Sequence, residues 1–257
     1  PVTGTLEQLP QLEDCDVLMN HFYSVHTSTT AGRDLFNGPA LLSHDVTLDK
    51  EGEGPQILIY HTHSQEAFKD SGPQGRTIVE VGDYLAELLT QKGYRVYHDT
   101  SVYDLQSGVL DRSKAYNYAL EGVNRILQQN PSIQVVLDLH RDGVSENLHM
   151  VSDINGKPTA QIMFFNGLSR TPEGKIAYLP NPYLAENLAF SLKMQLGAQA
   201  YFPGFARKIY LKGLRYNLHL RPKSALIEAG AQTNTFEEVK NAMEPLAQLL
   251  DMVLQGE

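Results

Sequence analysis

Three short apolar runs, each followed at once by imidazole or carboxylate side chains, constrain this chain more than any other feature. Gln56-Ile57-Leu58-Ile59-Tyr60 leads into His61-Thr62-His63-Ser64-Gln65-Glu66. The stretch from Ile133 to Leu139 leads into His140-Arg141-Asp142. Ala225-Leu226-Ile227 leads into Glu228-Ala229-Gly230. Continuous apolar runs of this length read as buried strands. Helical patterns lie between them. Ile78, Val81, Leu85 and Leu88 share one helical face, and Gly93 stops that helix. Tyr94 to His98 then reads as a strand. Tyr116, Leu120, Val123 and Leu127 make a second helical face, closed by Asn130-Pro131, and Leu184, Leu188, Leu192 and Leu196 make a third. Thr235 and Glu238 form a capping box for a last helix, which Pro245 should kink. Residues 148–153 and 159–165 read as a hairpin around Asn155-Gly156, with a loop longer than two residues. Alternating strands and helices predict an α/β fold, with a mostly parallel sheet covered by helices on both faces. Ligands of such sheets bind at the carboxyl ends of the strands. The three strand-end clusters are therefore where chemistry should sit.

Residues 1–55 are punctuated by Gly and Pro and read as an approach segment packed on the core, with a short helix around Asp14 to His26. Residues 56–257 read as the catalytic domain. Apolar residues make up 42% of the 257, enough to bury a sizeable core. Acidic residues number 30 against 21 basic ones, a net charge of −9 that argues against a nucleic-acid partner. The single cysteine, Cys15, cannot form an internal disulfide. No apolar run approaches the roughly 18 residues of a membrane span. A chain beginning at Pro1 is expected to be a processed or trimmed product.

Imidazoles and carboxylates delivered to one sheet edge are the donors of a mononuclear zinc site. Zinc takes both at about 2.0–2.2 Å and keeps a position for water when catalytic. His63, Glu66 and His140 form the best ligand set, with Glu228, arriving from a third strand, as general base and acid. His61 remains an alternative, because His61 and His63 point the same way along an extended segment. Each residue also has a structural reading. His61 could be a core histidine bonded to a backbone carbonyl, Glu66 could cap a turn, and Glu228 could pair with Arg221 or Arg215. His98 and Asp99 read as surface loop residues, and His149 and His219 receive no role. His140-Arg141-Asp142 with Asn147 matches a kinase catalytic-loop fragment, but the rest of the kinase set is missing. Arg141 reads instead as a clamp for a substrate carboxylate or carbonyl, with Asp142 as its partner. Tyr183, Tyr201, Phe202, Phe205 and Tyr210 are candidates for sugar-stacking faces, although most such aromatics are core.

The stretches "ILIYHTHSQEAF", "VVLDLHRD" and "ALIEAGAQTNT" closely resemble the signature segments of the stage II sporulation protein P family, over about residues 20 to 250. That family resembles the zinc-dependent N-acetylmuramoyl-L-alanine amidases. The resemblance implies a zinc amidase architecture and a Zn2+-dependent hydrolase that strips stem peptides from peptidoglycan, with endopeptidase activity as well. It implies action outside the cytoplasmic membrane during engulfment, an upstream membrane anchor, and stage II sporulation proteins D and M as partners. Carried over by position, it places the histidine-rich motif on His61, His63 and Glu66, the strand-end histidine on His140, and the last glutamate on Glu228. The wider amidase superfamily takes its glutamate ligand from the head of the first helix, where Glu80 stands here. Ala67 replaces a small polar residue expected after Glu66. Two other functions share these residues: a zinc carboxypeptidase, which needs a buried arginine such as Arg141 or Arg221, and a metal-free wall-binding scaffold.

Overall fold

The computed structural model describes residues 12–73 and 75–256. The chain opens with α1 (Cys15–Phe22), β1 (Tyr23–Val25), α2 (Gly38–Ser43), β2 (Ile57–Tyr60), α3 (Ile78–Gln91) and β3 (Val96–His98). A small hairpin, β4 (Leu105–Gln106) and β5 (Val109–Leu110), precedes α4 (Arg112–Gln129) and β6 (Val135–Asp142). Then come β7 (Val151–Ile154), β8 (Lys157–Ala160), β9 (Ile162–Gly167), β10 (Arg170–Thr171) and β11 (Gly174–Lys175). The chain closes with α5 (Leu184–Tyr201), β12 (Ile209–Lys212), β13 (Lys223–Ala231) and α6 (Phe236–Gln255).

Seven strands form the main sheet in the order β1-β12-β9-β13-β6-β2-β3. Every neighbouring pair is parallel except β9 with β13. The sheet is thus two parallel blocks of opposite direction, joined at β9–β13. Side chains alternate between its faces. Ile57, Ile59, Val135, Leu137 and Ile227 pack into one large core with residues of α3, α5 and α6. Leu58, Tyr60 and Val136 face the other way, onto Ala119, Val123 and Leu127 of α4. Helices therefore cover both faces, as the alternating pattern predicts, and Asp138 and His140 follow Val136 on the α4 side.

Several elements differ from the sequence reading. The first helix ends at Phe22, because Tyr23 to Val25 turn their backbone to β12 and become the sheet's edge strand. The N-terminal segment thus shares the sheet, and Phe22, Phe36 and Leu48 share the core with α3, α5 and α6. The hairpin turn is tighter than expected. Asn155 and Gly156 both take positive φ, 54° and 78°, and join β7 to β8 with no further residue. Two left-handed residues are what a type I′ turn requires, and Asn-Gly supplies them. Residues 162–167 are no part of that hairpin; they form β9 in the main sheet. α6 continues through the buried Pro245 as one helix.

Asp251 on α6 ties three segments together. It accepts from Lys50 Nζ at 3.0 Å, Lys92 Nζ at 3.3 Å and Tyr94 Oη at 2.9 Å. Burial alone would raise its pKa, but the bonds from Lys50, Tyr94 and Lys92 outweigh that and hold the carboxyl below the usual range. The stability it adds is full above the unfolded carboxyl pKa, about 3.9, and is lost as pH falls through the lower folded value. In urea titrations Asp251→Asn is expected to lower stability at pH 7 by about 1–2 kcal/mol. The difference should shrink to nothing in acid.

Candidate functional site

Two buried carboxylates set the path of the chain after β2. Asp138, inside β6, accepts from the Thr62 amide at 2.9 Å and from Thr62 Oγ1 at 2.7 Å. Asp104 accepts from Ser64 Oγ at 2.8 Å and from the Gln65 amide at 3.2 Å. The turn carrying His63 and Glu66 is thereby bolted against the end of β6. Glu66 is buried. Its Oε2 accepts from the Arg141 amide at 2.9 Å, and its Oε1 lies 3.5 Å from Arg112 Nη1.

His140 and Glu228 are register partners on the adjacent parallel strands β6 and β13. The His63 and His140 rings stand edge to face with centroids 5.2 Å apart. Tyr116 of α4 flanks both, edge-on to His63 at 5.5 Å and parallel to His140 at 6.5 Å. The strand ends thus bring together His63, Glu66, His140 and Glu228.

Three carboxylates surround one imidazole. His140 Nδ1 lies 3.6 Å from Glu66 Oε2. Its Nε2 lies 2.8 Å from Asp138 Oδ1, yet out of line for a hydrogen bond, so that buried nitrogen has no aligned acceptor. Burial would lower the His140 pKa, but Asp138, Glu66 and Glu228 overcome this and push it up to about 10. His63 behaves oppositely: burial, then the His140 charge, push it down to about 4. Burial pushes Glu228 up to about 8, with Glu66, Asp142 and Asp138 adding to the rise against the pull of His140. Part of the Glu228 side chain stays open, while its Oε2 is covered and has no partner.

These residues fit a divalent cation. His63 Nδ1 is a buried ring nitrogen with no hydrogen-bond partner among the described residues, and Glu228 Oε2 beside it is a buried carboxylate oxygen likewise without one. Two donors on one tetrahedral zinc lie about 3.4 Å apart, close to the 3.6 Å between His140 Nδ1 and Glu66 Oε2. Asp138 beside the other ring nitrogen supplies the carboxylate that commonly backs a metal-bound histidine. Among the described residues no three such side chains yet converge at ligating distance. His63 would have to turn its ring towards that pair.

The other candidates fall elsewhere. His61 is fully buried, with Nδ1 2.8 Å from the Leu139 carbonyl oxygen and Nε2 2.9 Å from His98 Nε2. Both its nitrogens are engaged. His98 corrects the surface reading: its side chain is mostly buried, and its Nδ1 contacts Asp83 Oδ1 at 2.9 Å. A Cβ at Gly82 would come within 2.6 Å of His61 Nε2 and 2.7 Å of His98 Nε2, so α3 can cross this histidine pair only at a glycine. Asp99 is buried too, and accepts from Tyr103 Oη at 2.6 Å. Glu80 is exposed and serves the N-terminus of α3, where its Oε2 accepts from the Thr77 amide at 2.7 Å. Helix-end geometry takes it away from the donor cluster. Arg141 uses Nε on the Ala67 carbonyl at 3.0 Å, bracing the Glu66 turn. The Asp142 carboxylate pairs with Arg207 at 2.7 Å, while Arg141 Nη1 reaches only the Asp142 main-chain oxygen at 3.4 Å, a correction to the expected side-chain partnership. Arg221 and Arg215 donate to the carbonyls of Ile133 and Pro180, so neither neutralises Glu228. Phe202 and Phe205 are core, whereas Tyr210 lines a groove beside Glu228.

Sequence reading missed Asp138 and Tyr116. Asp138 stands two residues before His140 in an otherwise apolar strand, and period-two alternation puts both on one face. Tyr116 carried no such signal, since its spacing marks only the buried face of α4.

The sheet and its covering helices have the fold seen in a solved N-acetylmuramoyl-L-alanine amidase. The CwlD amidase from Clostridioides difficile, solved in complex with the GerS lipoprotein, shares it, with a TM-score of 0.50 at 12% identity over 78% of this chain and 97% of that one. The family model for stage II sporulation protein P matches residues 19–251, and the chain belongs to that family. Stage II sporulation protein P of Bacillus subtilis (strain 168) is 23% identical over 215 residues, which cover 76% of this chain. The chain spans about half, 50%, of that relative's length.

A His140 donor carries a proton that a metal must displace. Titration with Zn2+ at pH 7 is expected to release about one proton, and apparent affinity should rise with pH. Calorimetry in buffers of different ionisation enthalpy reads the release. Metal uptake without a released proton would contradict His140 as a ligand.

Proposed function

We propose that this chain is the catalytic part of a zinc-dependent peptidoglycan hydrolase, an N-acetylmuramoyl-L-alanine amidase with endopeptidase capacity, acting in engulfment during endospore formation. The observation that carries the reading is the pairing of His140 with Glu228 across β6 and β13, next to His63 and Glu66. Family membership supports the setting in sporulation. His63, Glu66 and His140 are the residues that would hold the ion. Bound there, zinc would polarise the scissile carbonyl and acidify a water molecule.

The chain's own residues supply the rest. The Glu228 carboxylate takes a proton from the attacking water and passes it to the nitrogen of the leaving amine. A carboxyl held near 8 by burial suits a group that must both accept and donate. Its ionised form, which starts the cycle, would be favoured by a cation held at His63, Glu66 and His140. Asp138 orients the His140 ring, while Thr62 keeps that carboxylate satisfied. Arg141 holds the Glu66 turn through the Ala67 carbonyl. Tyr116 closes the α4 side of the site.

The same reading puts the chain outside the cytoplasmic membrane, tethered by an anchor that lies upstream, with stage II sporulation proteins D and M as partners. Among the described residues no helix is long and apolar enough to cross a membrane. The carboxypeptidase alternative gains nothing here, because Arg141 and Arg221 both bond backbone carbonyls.

Mass spectrometry of fragments released from purified walls, with zinc measured alongside, tests the assignment. Glu228→Gln is expected to lower turnover about 10²–10⁴-fold with metal retained. His140→Ala should lose metal and activity together. A fully active Glu228→Gln enzyme would overturn the role given to Glu228. A zinc-free wild type that releases no fragments would favour a scaffold.

A further inference from the structure

The half of the sheet not covered by α4 forms the floor of an open groove of about 560 Å³ that ends at Glu228. Strand register builds the floor. Ser24, Tyr210 and Phe165 align in a row across β1, β12 and β9. Glu228 pairs with Met163 on one side of that row, and Lys212 with Gly167 on the other. In a chain of net charge −9, three cations, Arg207, Lys208 and Lys212, line this one groove.

Two of them are already engaged. Arg207 pairs with Asp142 at 2.7 Å, and Lys208 Nζ donates to the Asn20 carbonyl at 2.6 Å. Lys212 has no hydrogen-bond or ion-pair partner for its ammonium among the described residues. Ile209 and Leu211 are buried on the opposite face, so alternation turns Lys212 into the groove beside Tyr210. The floor offers little for stacking a sugar. Phe165 is buried, with Tyr210 and Tyr216 edge-on to it at 5.8 Å and 4.7 Å.

We propose that this groove binds the peptide side of the substrate in extended form, and that Lys212 selects a carboxylate on it, about three residues from the scissile amide. The inference rests on the hydrolase reading above. N-acetylated sugars carry no charge to meet a lysine, whereas acidic stem peptides do. The distance follows from sheet geometry. Glu228 and Lys212 lie two strands and four residues apart, which is about 16 Å between Cα atoms. A lysine stem bridges about 6 Å of this, and an extended peptide of about three residues bridges the remainder. A charge-assisted bond at that point would fix the peptide's register and so decide which amide reaches Glu228.

Binding of a free acidic tripeptide, which contains no cleavable amide to a sugar, tests this without turnover. Calorimetry should give an affinity about tenfold higher for the tripeptide with a free carboxylate on its third residue than for its amide. Lys212→Met should erase that preference, with the melting temperature unchanged. Lys212→Arg should keep it. Equal binding of both peptides to the wild type, or an undiminished preference in Lys212→Met, would overturn the proposal. So would Lys212-dependent binding of poly(glycerol phosphate) with none of the tripeptide, which would assign the groove to a phosphate polymer. Loss of wall hydrolysis with the tripeptide preference intact would sink the hydrolase reading and leave the groove's specificity standing.

Discussion

Asp138 is a carboxylate with no exposed surface, and the arrangement of the site follows from how it is satisfied. A buried charge must be paired and hydrogen-bonded or it destabilises the fold. Here the Thr62 amide and hydroxyl bond it from the turn after β2, and His140 contacts it from its own strand. One side chain thereby fixes the start of the turn that carries His63 and Glu66, and the ring that faces Glu66. Burial of so many acids around His140 makes the site a place where positive charge is favoured. A proton on His140 meets that demand, and a divalent cation would meet it better.

The antiparallel junction between β9 and β13 matters for a different reason. Parallel strands need helical crossovers, which cover the faces of the sheet. α4 covers one face of the β6–β2 block, yet Tyr210, Lys212 and Ser24 on the same face of the other block remain accessible. A sheet that reverses direction in its middle therefore has one open shoulder beside the donor cluster. The N-terminal segment completes that shoulder by supplying β1, which is why it belongs to the site's surroundings as well as to the core.

Much of this was legible in the chain. Strand ends after Tyr60, Leu139 and Ile227 are marked by abrupt changes from apolar to polar residues, and the four residues they deliver do lie together. The capping box of α6 is written in Thr235 with Glu238. Less legible were short strands such as β1 and β12, whose residues pair only with segments far away in sequence. Asp138 hid inside the best strand, because a single acid in an apolar run reads as an interruption until its partners are known. His98 read as a surface residue because nothing local reveals that His61 and Gly82 wait beside it.

Alternation and periodicity by themselves determined the α/β class, the chemistry of the donors and the strand ends that deliver them, because these depend on residues close together in the chain. Which histidine faces the carboxylates, where β9 inserts and why Lys212 meets an open groove were decided only by the tertiary structure. The reason is physical. His61 and His63 differ by two positions and have the same local preferences, so only contacts from β3, β6 and α3 distinguish the buried, doubly engaged ring from the one with a nitrogen left unpaired.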